Sequence, residues 1–205
     1  WDQIVADRFD WNGPQVREAL DLFDQALDTV DPAADGLSWD QATTKLGEGG
    51  CAFETMNDSA YGELIKAGKT DDQTFDEVPF PGTEASYVAV VDTFVQARSA
   101  TNAKNAADFL AVIADPRVQL EFSKAKGSVP VRTDVDVSSL SPYQQSAAMA
   151  LRDSRVLWSI VHGSAMSPAF QQGFYDAVDA YVRTRDPRAF SSTLIDAVAA
   201  APPQR

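Results

Sequence analysis

Four prolines set the punctuation of this chain. Asp115-Pro116, Ser141-Pro142, Ser167-Pro168 and Asp186-Pro187 each stand just ahead of a stretch with helical apolar spacing. A Ser or Asp side chain can accept a bond from the free N–H groups of a helix's first turn. Proline at the first helical position gives up an N–H that has no partner there, and its fixed φ already suits a helix. Ser141 has Gln144 three residues on, and Ser38 has Gln41, so both fit a reciprocal capping box. The stretch 168–185 shows the period best: Phe170, Phe174, Val178 and Tyr181 form one stripe, with Asp176, Asp179 and Arg183 off it. Helices are further predicted over 14–30, 38–48, 58–67, 102–114, 116–125, 142–153 and 187–200.

Strands are fewer. "CAFETM" (51–56), "TFDEVPF" (74–80) and "YVAVVDTFVQ" (87–96) are rich in β-branched and aromatic residues, and "PFPGTEAS" (79–86) reads as a turn. Gly127-Ser128-Val129-Pro130 reads as an extended loop after a helix, 131–141 as irregular, and "APPQR" as a fraying tail. Many helices with a few short strands predict an α/β or α+β chain, too poor in strands for a complete sheet. The opening "WDQIVADRF" has neither a Met nor the basic and apolar regions of a signal peptide, so the expectation is that part of the protein lies upstream.

Charge narrows the function. The chain has 17 basic and 30 acidic residues, a net charge of −13, and would repel phosphate backbones. No apolar run approaches the roughly 20 residues that span a bilayer. One cysteine, Cys51, allows no internal disulfide and reads as a small buried hydrophobe. With one His and one Cys, a zinc site would need mostly carboxylates, so neither metal nor cofactor is expected. "GEGG" (47–50) precedes a strand-like run instead of a helix, the wrong context for phosphate. There is no G-x-S-x-G elbow and no H-E-x-x-H. The acidic strings "DLFDQALD" (21–28) and "DDQTFDE" (71–77) read as solvated faces, and Trp11, Trp39 and Trp158 as packing residues.

Three side chains stay open on local grounds. His162, the single histidine, sits in "SIVHGSAMSP" (159–168) between an apolar run and a helix start, and could be core, base or ligand contact. Asp92 ends the apolar run "VAVVDTF" and reads first as a structural strand-end carboxylate. Lys126 opens "KGSVPVR" and reads first as a solvated lysine favoured by the helix dipole.

Read in order, longer strings form a series. "SWDQATTKLGEGGCAFETMNDSAYGEL" (38–64), "VPFPGTEASYVAVVDTFVQARSATNAKNAADFLAVIADPRVQLEFSKAKGSVPVR" (78–132) and "HGSAMSPAFQQGFYDAVDAYV" (162–182) together resemble the C-terminal half of the extracellular solute-binding proteins of sugar ABC transporters, the glucose-binding branch most of all. The middle string carries most of the specificity. The resemblance runs from about Asp10 to Ala200.

That resemblance implies a periplasmic-binding-protein-like fold of type II, in which two α/β lobes close over a sugar. It implies that residues 1–84 and 138–205 belong to the C-terminal lobe and 85–137 to the N-terminal lobe, most of which is not in this chain. It implies a non-enzymatic, extracytoplasmic, membrane-tethered monomer, held by a lipid anchor on an upstream segment. Such a protein hands a mono- or oligosaccharide to permease subunits. A carboxylate-dependent glycosidase and a sugar-free interaction domain are the alternatives.

A sugar presents paired hydroxyls and flat C–H faces, so its site needs charged or planar polar groups and a ring. The resemblance carries Asp92, Lys126 and His162 onto sugar-contacting positions. The branch has Gly-Asp-Trp where this chain has Asn57-Asp58-Ser59, so Asp58 and Ser59 line the expected site and a stacking Trp is missing. Tyr61 is the nearest ring that could replace it. The exchange of Trp for Ser59 leaves room for a saccharide other than glucose.

Overall fold

The computed structural model describes residues 1–70 and 73–200. In chain order the described elements are α1 (Asp2–Val5), α2 (Pro14–Leu27), α3 (Trp39–Gly47), α4 (Asp58–Lys66), β1 (Ser86–Ala89), α5 (Ala103–Ile113), α6 (Pro116–Lys126), α7 (Pro142–Asp153), β2 (Arg155–Trp158), α8 (Pro168–Thr184) and α9 (Pro187–Ala200). Short 3-10 turns cover Pro32–Ala34 and Val137–Ser139. The chain is therefore helix-rich α/β with few strands. No helix of the described residues is long and apolar enough to cross a membrane.

The four proline starts hold. Asp115 Oδ1 accepts the Arg117 N–H at 2.8 Å, Ser141 Oγ the Gln144 N–H at 3.2 Å, Ser167 Oγ the Phe170 N–H at 3.2 Å, and Asp186 Oδ1 the Arg188 N–H at 2.9 Å. A fifth pair, Asp31-Pro32, opens only the 3-10 turn. Gln41 Oε1 accepts the Ser38 N–H at 2.9 Å, the returning half of the box that starts α3. Gly127 ends α6 in the left-handed region, at φ 86°.

The strand expectations fare worse. Residues 51–56 have no ladder partner among the described residues, 74–80 contribute one isolated bridge at Phe75, and of 87–96 only the first three residues lie in β1. β1 pairs with β2, which lies in the run read only as apolar, to form a two-stranded sheet. A strand exists only when a second segment offers its N–H and C=O groups, and composition cannot supply one. Phe53 and Val95 are left 89% and 84% exposed. The turn at 79–86 is present: the Thr83 N–H donates to Phe80 O at 3.0 Å and the Ser86 N–H to Thr83 O at 2.8 Å. Trp11 packs against Phe9 and Phe170, whereas Trp39 and Trp158 are about half exposed. Cys51 is only partly buried. The string 71–77 lies partly, and the tail 201–205 wholly, outside the described residues.

The chain divides into two compact units. One comprises Trp1–Pro32, Val88–Val91 and the chain from Val156 on. Its core joins Val16 and Leu20 of α2 to Ala177 and Tyr181 of α8 and Phe190 and Leu194 of α9. Helices α8 and α9 pack closely because residue 173 is glycine: a Cβ there would lie 2.3 Å from Ala197 Cβ. The acidic face of α2 is partly engaged here, as Asp24 receives Arg185 Nη1 at 2.7 Å. The other unit comprises Ala33–Tyr87 and Asp92–Arg155. It packs α3 on α4, α4 on α6 and α5 on α6. These units are divisions of the described chain, whereas the expected lobes are divisions of a longer protein.

Candidate functional site

Asp58, Ser59, Tyr61, Asp92 and Lys126 all lie in the second unit, and its packing explains how the charged ones meet. Asn57 caps α4, its side-chain oxygen accepting the Ser59 N–H at 3.1 Å. That puts Asp58 at the first helical position, where the helix dipole favours a carboxylate. Gly62 then lets the C-terminus of α6 come down on this turn: a Cβ on Gly62 would stand 2.3 Å from the Lys126 carbonyl oxygen. A Cβ on Gly127 would stand 2.9 Å from the Asp58 carbonyl oxygen and 3.1 Å from Tyr61 Cδ1. Backbone meets backbone, so Lys126 leaves the chain beside Asp58.

From there Lys126 Nζ donates to Asp92 Oδ2 at 2.5 Å, joining residues 34 apart in sequence. Asp58 feels this pair. Burial raises its pKa above the ordinary carboxylate value, the Lys126 ammonium opposes that, and the Asp92 carboxylate reinforces it. Two carboxylates thus face one ammonium: Asp58 is partly buried, whereas the Lys126–Asp92 pair stays substantially exposed.

Around them stand tyrosines. Tyr61 is buried, stacked on Tyr143 at 4.7 Å with Phe75 edge-on at 5.8 Å. Burial pushes up the phenols of Tyr87 and Tyr143, and the Asp58 charge adds to both. Tyr61 therefore packs in a ring cluster. Tyr87 and Tyr143 were not among the sequence candidates. Their neighbourhood to Asp58 is a tertiary fact with no local signal, although the Ser141-Pro142 start that carries Tyr143 was legible.

His162 belongs to the first unit. It lies in the turn after β2 and is exposed. Its Nδ1 is 2.8 Å from the hydroxyl of Ser159, a residue only 3% exposed, and its backbone N–H donates to the same oxygen at 3.3 Å. Both contacts are satisfied if the hydroxyl accepts from the backbone and donates to Nδ1, which leaves the ring proton on Nε2. The ring is thus oriented by a buried partner, with a donor remaining for another group.

Comparison with known proteins gives the family. Residues 2–150 match the model of a family described as bacterial extracellular solute-binding protein. An uncharacterised ABC transporter extracellular-binding protein of Pyrococcus horikoshii is 26% identical over 200 residues, 97% of this chain and 45% of the relative. A probable sugar-binding periplasmic protein of Brucella suis is 28% identical over 168 residues, 80% of this chain and 40% of the relative. A xylose/arabinose-binding protein of Haloferax volcanii is 30% identical over 157 residues, 75% of this chain and 34% of the relative. The chain thus spans less than half the length of these relatives. With 2–150 matched, well over half of its residues, the chain belongs to the bacterial extracellular solute-binding protein family.

Proposed function

We propose that this chain is part of an extracytoplasmic binding protein that captures a sugar between two lobes and delivers it to an ABC importer. The observation that carries the reading is the meeting of Asp58, Asp92 and Lys126 through the glycine crossing of α4 and α6. Carboxylates that accept and an ammonium that donates suit the paired hydroxyls of a sugar. The family resemblance adds His162, whose ring is held through Ser159 in the first unit, and Ser59 and Tyr61 on the first turn of α4, where Tyr61 itself packs among rings.

The lobe assignment belongs to the same proposal: residues 1–84 and 138–205 in one lobe of a type II fold, 85–137 in the other. Helix α5 fits membership of a larger layer. None of its residues is buried here, and Phe109 and Val112 are 52% and 54% exposed. Sugar contacts from both lobes favour the closed form, because only that form satisfies both sets of groups. The closed form then docks on permease subunits, outside the cytoplasmic membrane and tethered to it. The protein acts as a carrier and leaves the sugar unchanged.

Relatives whose names refer to sugars, one of them to xylose and arabinose, set the ligands to try. The test is calorimetric titration of the full-length protein with D-glucose, D-xylose, L-arabinose and maltose. It is repeated on Asp92→Ala and His162→Ala. Stoichiometric binding that weakens in both variants is expected. Unchanged affinity in both sinks the site, and conversion of a chromogenic glycoside would show an enzyme instead.

A further inference from the structure

Gln144 is 2% exposed, and its side-chain amide uses all of its hydrogen-bonding capacity. Nε2 donates to the Ser123 carbonyl at 2.8 Å and to the Ser128 carbonyl at 2.7 Å. Oε1 accepts from the Ser141 hydroxyl at 3.2 Å and the Ser141 N–H at 3.4 Å. The acceptor half is the capping box of α7. The donor half reaches into the other end of the site. Ser123 lies three residues before Lys126 and Ser128 two after it, so the amide clamps the turn from which the lysine projects.

Among the described residues that turn is also held by the Gly127 N–H, which donates to the Ser123 carbonyl at 2.9 Å, by the ion pair of Lys126 with Asp92, and by the contact of Gly62 and Gly127 with α4. The neighbouring Tyr143 stacks on Tyr61 of α4, so the first turn of α7 braces both helices that form the crossing. A lysine carries four rotatable bonds, and its ammonium is placed only as well as its backbone is. A binding group must be held within about 0.5 Å to be effective, and that precision comes from the residues behind it.

We propose that Gln144 is a positioning residue for ligand binding, acting through Lys126. This rests on the sugar-site reading above. Methionine at this position keeps the length and donates nothing. Glutamate keeps the shape and turns a carboxylate oxygen toward two carbonyls. Neither can hold the turn.

The experiment is a double-mutant cycle on the full-length protein, titrated with whichever of D-glucose, D-xylose, L-arabinose and maltose binds the wild type most tightly. The proteins are wild type, Gln144→Met, Lys126→Met and the double variant. Gln144→Met is expected to weaken binding about tenfold alone and by less than about twofold when Lys126 is already methionine. A similar loss in both backgrounds shows a merely structural role and overturns the proposal, as does affinity within twofold of wild type. Unchanged affinity in Lys126→Met overturns the sugar-site reading and this proposal with it. Should Gln144→Met not fold, Ser141→Ala, which removes the hydroxyl that both caps α7 and orients the amide, must show the same dependence on Lys126 in smaller measure.

Discussion

A β-carbon on Gly62 would fall 2.3 Å from the Lys126 carbonyl oxygen, so α4 and α6 touch through their backbones at the point where the site charges gather. Real Cβ atoms do not approach so closely, and the opposing atom is main chain that cannot swing aside. Gly62→Ala should therefore separate the helices, at a cost of about 1–3 kcal/mol in stability. Lys126 should move away from Asp58, and sugar affinity should fall further than stability predicts. Urea unfolding and titration on the same protein check this. An alanine variant as stable and as tight as wild type would mean that the crossing yields without consequence.

Lys126→Met should divide stability from binding. Its ion pair with Asp92 is substantially exposed, with the Asp92 side chain 64% accessible. Exposed pairs contribute about 0–1 kcal/mol, so unfolding should barely change. A hydrogen bond from a charged donor to a ligand is worth about 1.5–3 kcal/mol, so affinity should drop roughly 10- to 150-fold. Thermal unfolding beside calorimetry makes the comparison.

Asp58 should show the opposite balance. Burial raises its pKa in the folded chain, so the folded state binds the proton more tightly than the unfolded state does. Stability is then lost as pH rises from the ordinary carboxylate range through the raised value, and the loss is complete above it. Asp58→Asn removes that penalty. It should raise Tm at pH 7, with a gain that shrinks as pH falls toward 4, while sugar affinity drops. Glu54 follows the same sign: burial raises it, its Oε2 is buried with no partner among the described residues, and Oε1 lies 2.9 Å from the Thr43 hydroxyl. Glu54→Gln should likewise raise Tm at neutral pH, without the loss of affinity.

In the first unit, Gly173→Ala would place a methyl 2.3 Å from Ala197 Cβ, in the closely packed pair α8 and α9. A loss of about 1–3 kcal/mol is expected. Adding Ala197→Gly should recover most of it, less the roughly 1 kcal/mol that glycine costs within a helix. Denaturant midpoints of the two single variants and the double variant test the pairing, and an additive double variant would place the strain elsewhere.

Helix boundaries were legible to within a few residues because their causes are local. A cap needs a side chain within three residues of an N–H, and proline acts on its own turn. Gln144 shows how far such reading reaches. Its half of the capping box was visible in the spacing from Ser141, while the two carbonyls it holds, 21 and 16 residues earlier, left no mark nearby. Strands failed for the related reason: 51–56 has the right residues and no partner ladder among the described residues, whereas 155–158 pairs with 86–89 across almost 70 residues.

What the sequence by itself determined is therefore where helices start and stop, the acidity that repels phosphate backbones, and a family resemblance that named Asp58, Asp92, Lys126 and His162. Only the tertiary structure decided that Asp92 meets Lys126, that Asp58 is drawn into partial burial beside them, that Tyr61 is enclosed among rings, and that Ser159 orients His162. Local hydrogen-bonding rules act over one helical turn. The approach that assembles the site depends on the absence of a side chain at Gly62, and an absence acquires meaning only when a second backbone comes to fill the space.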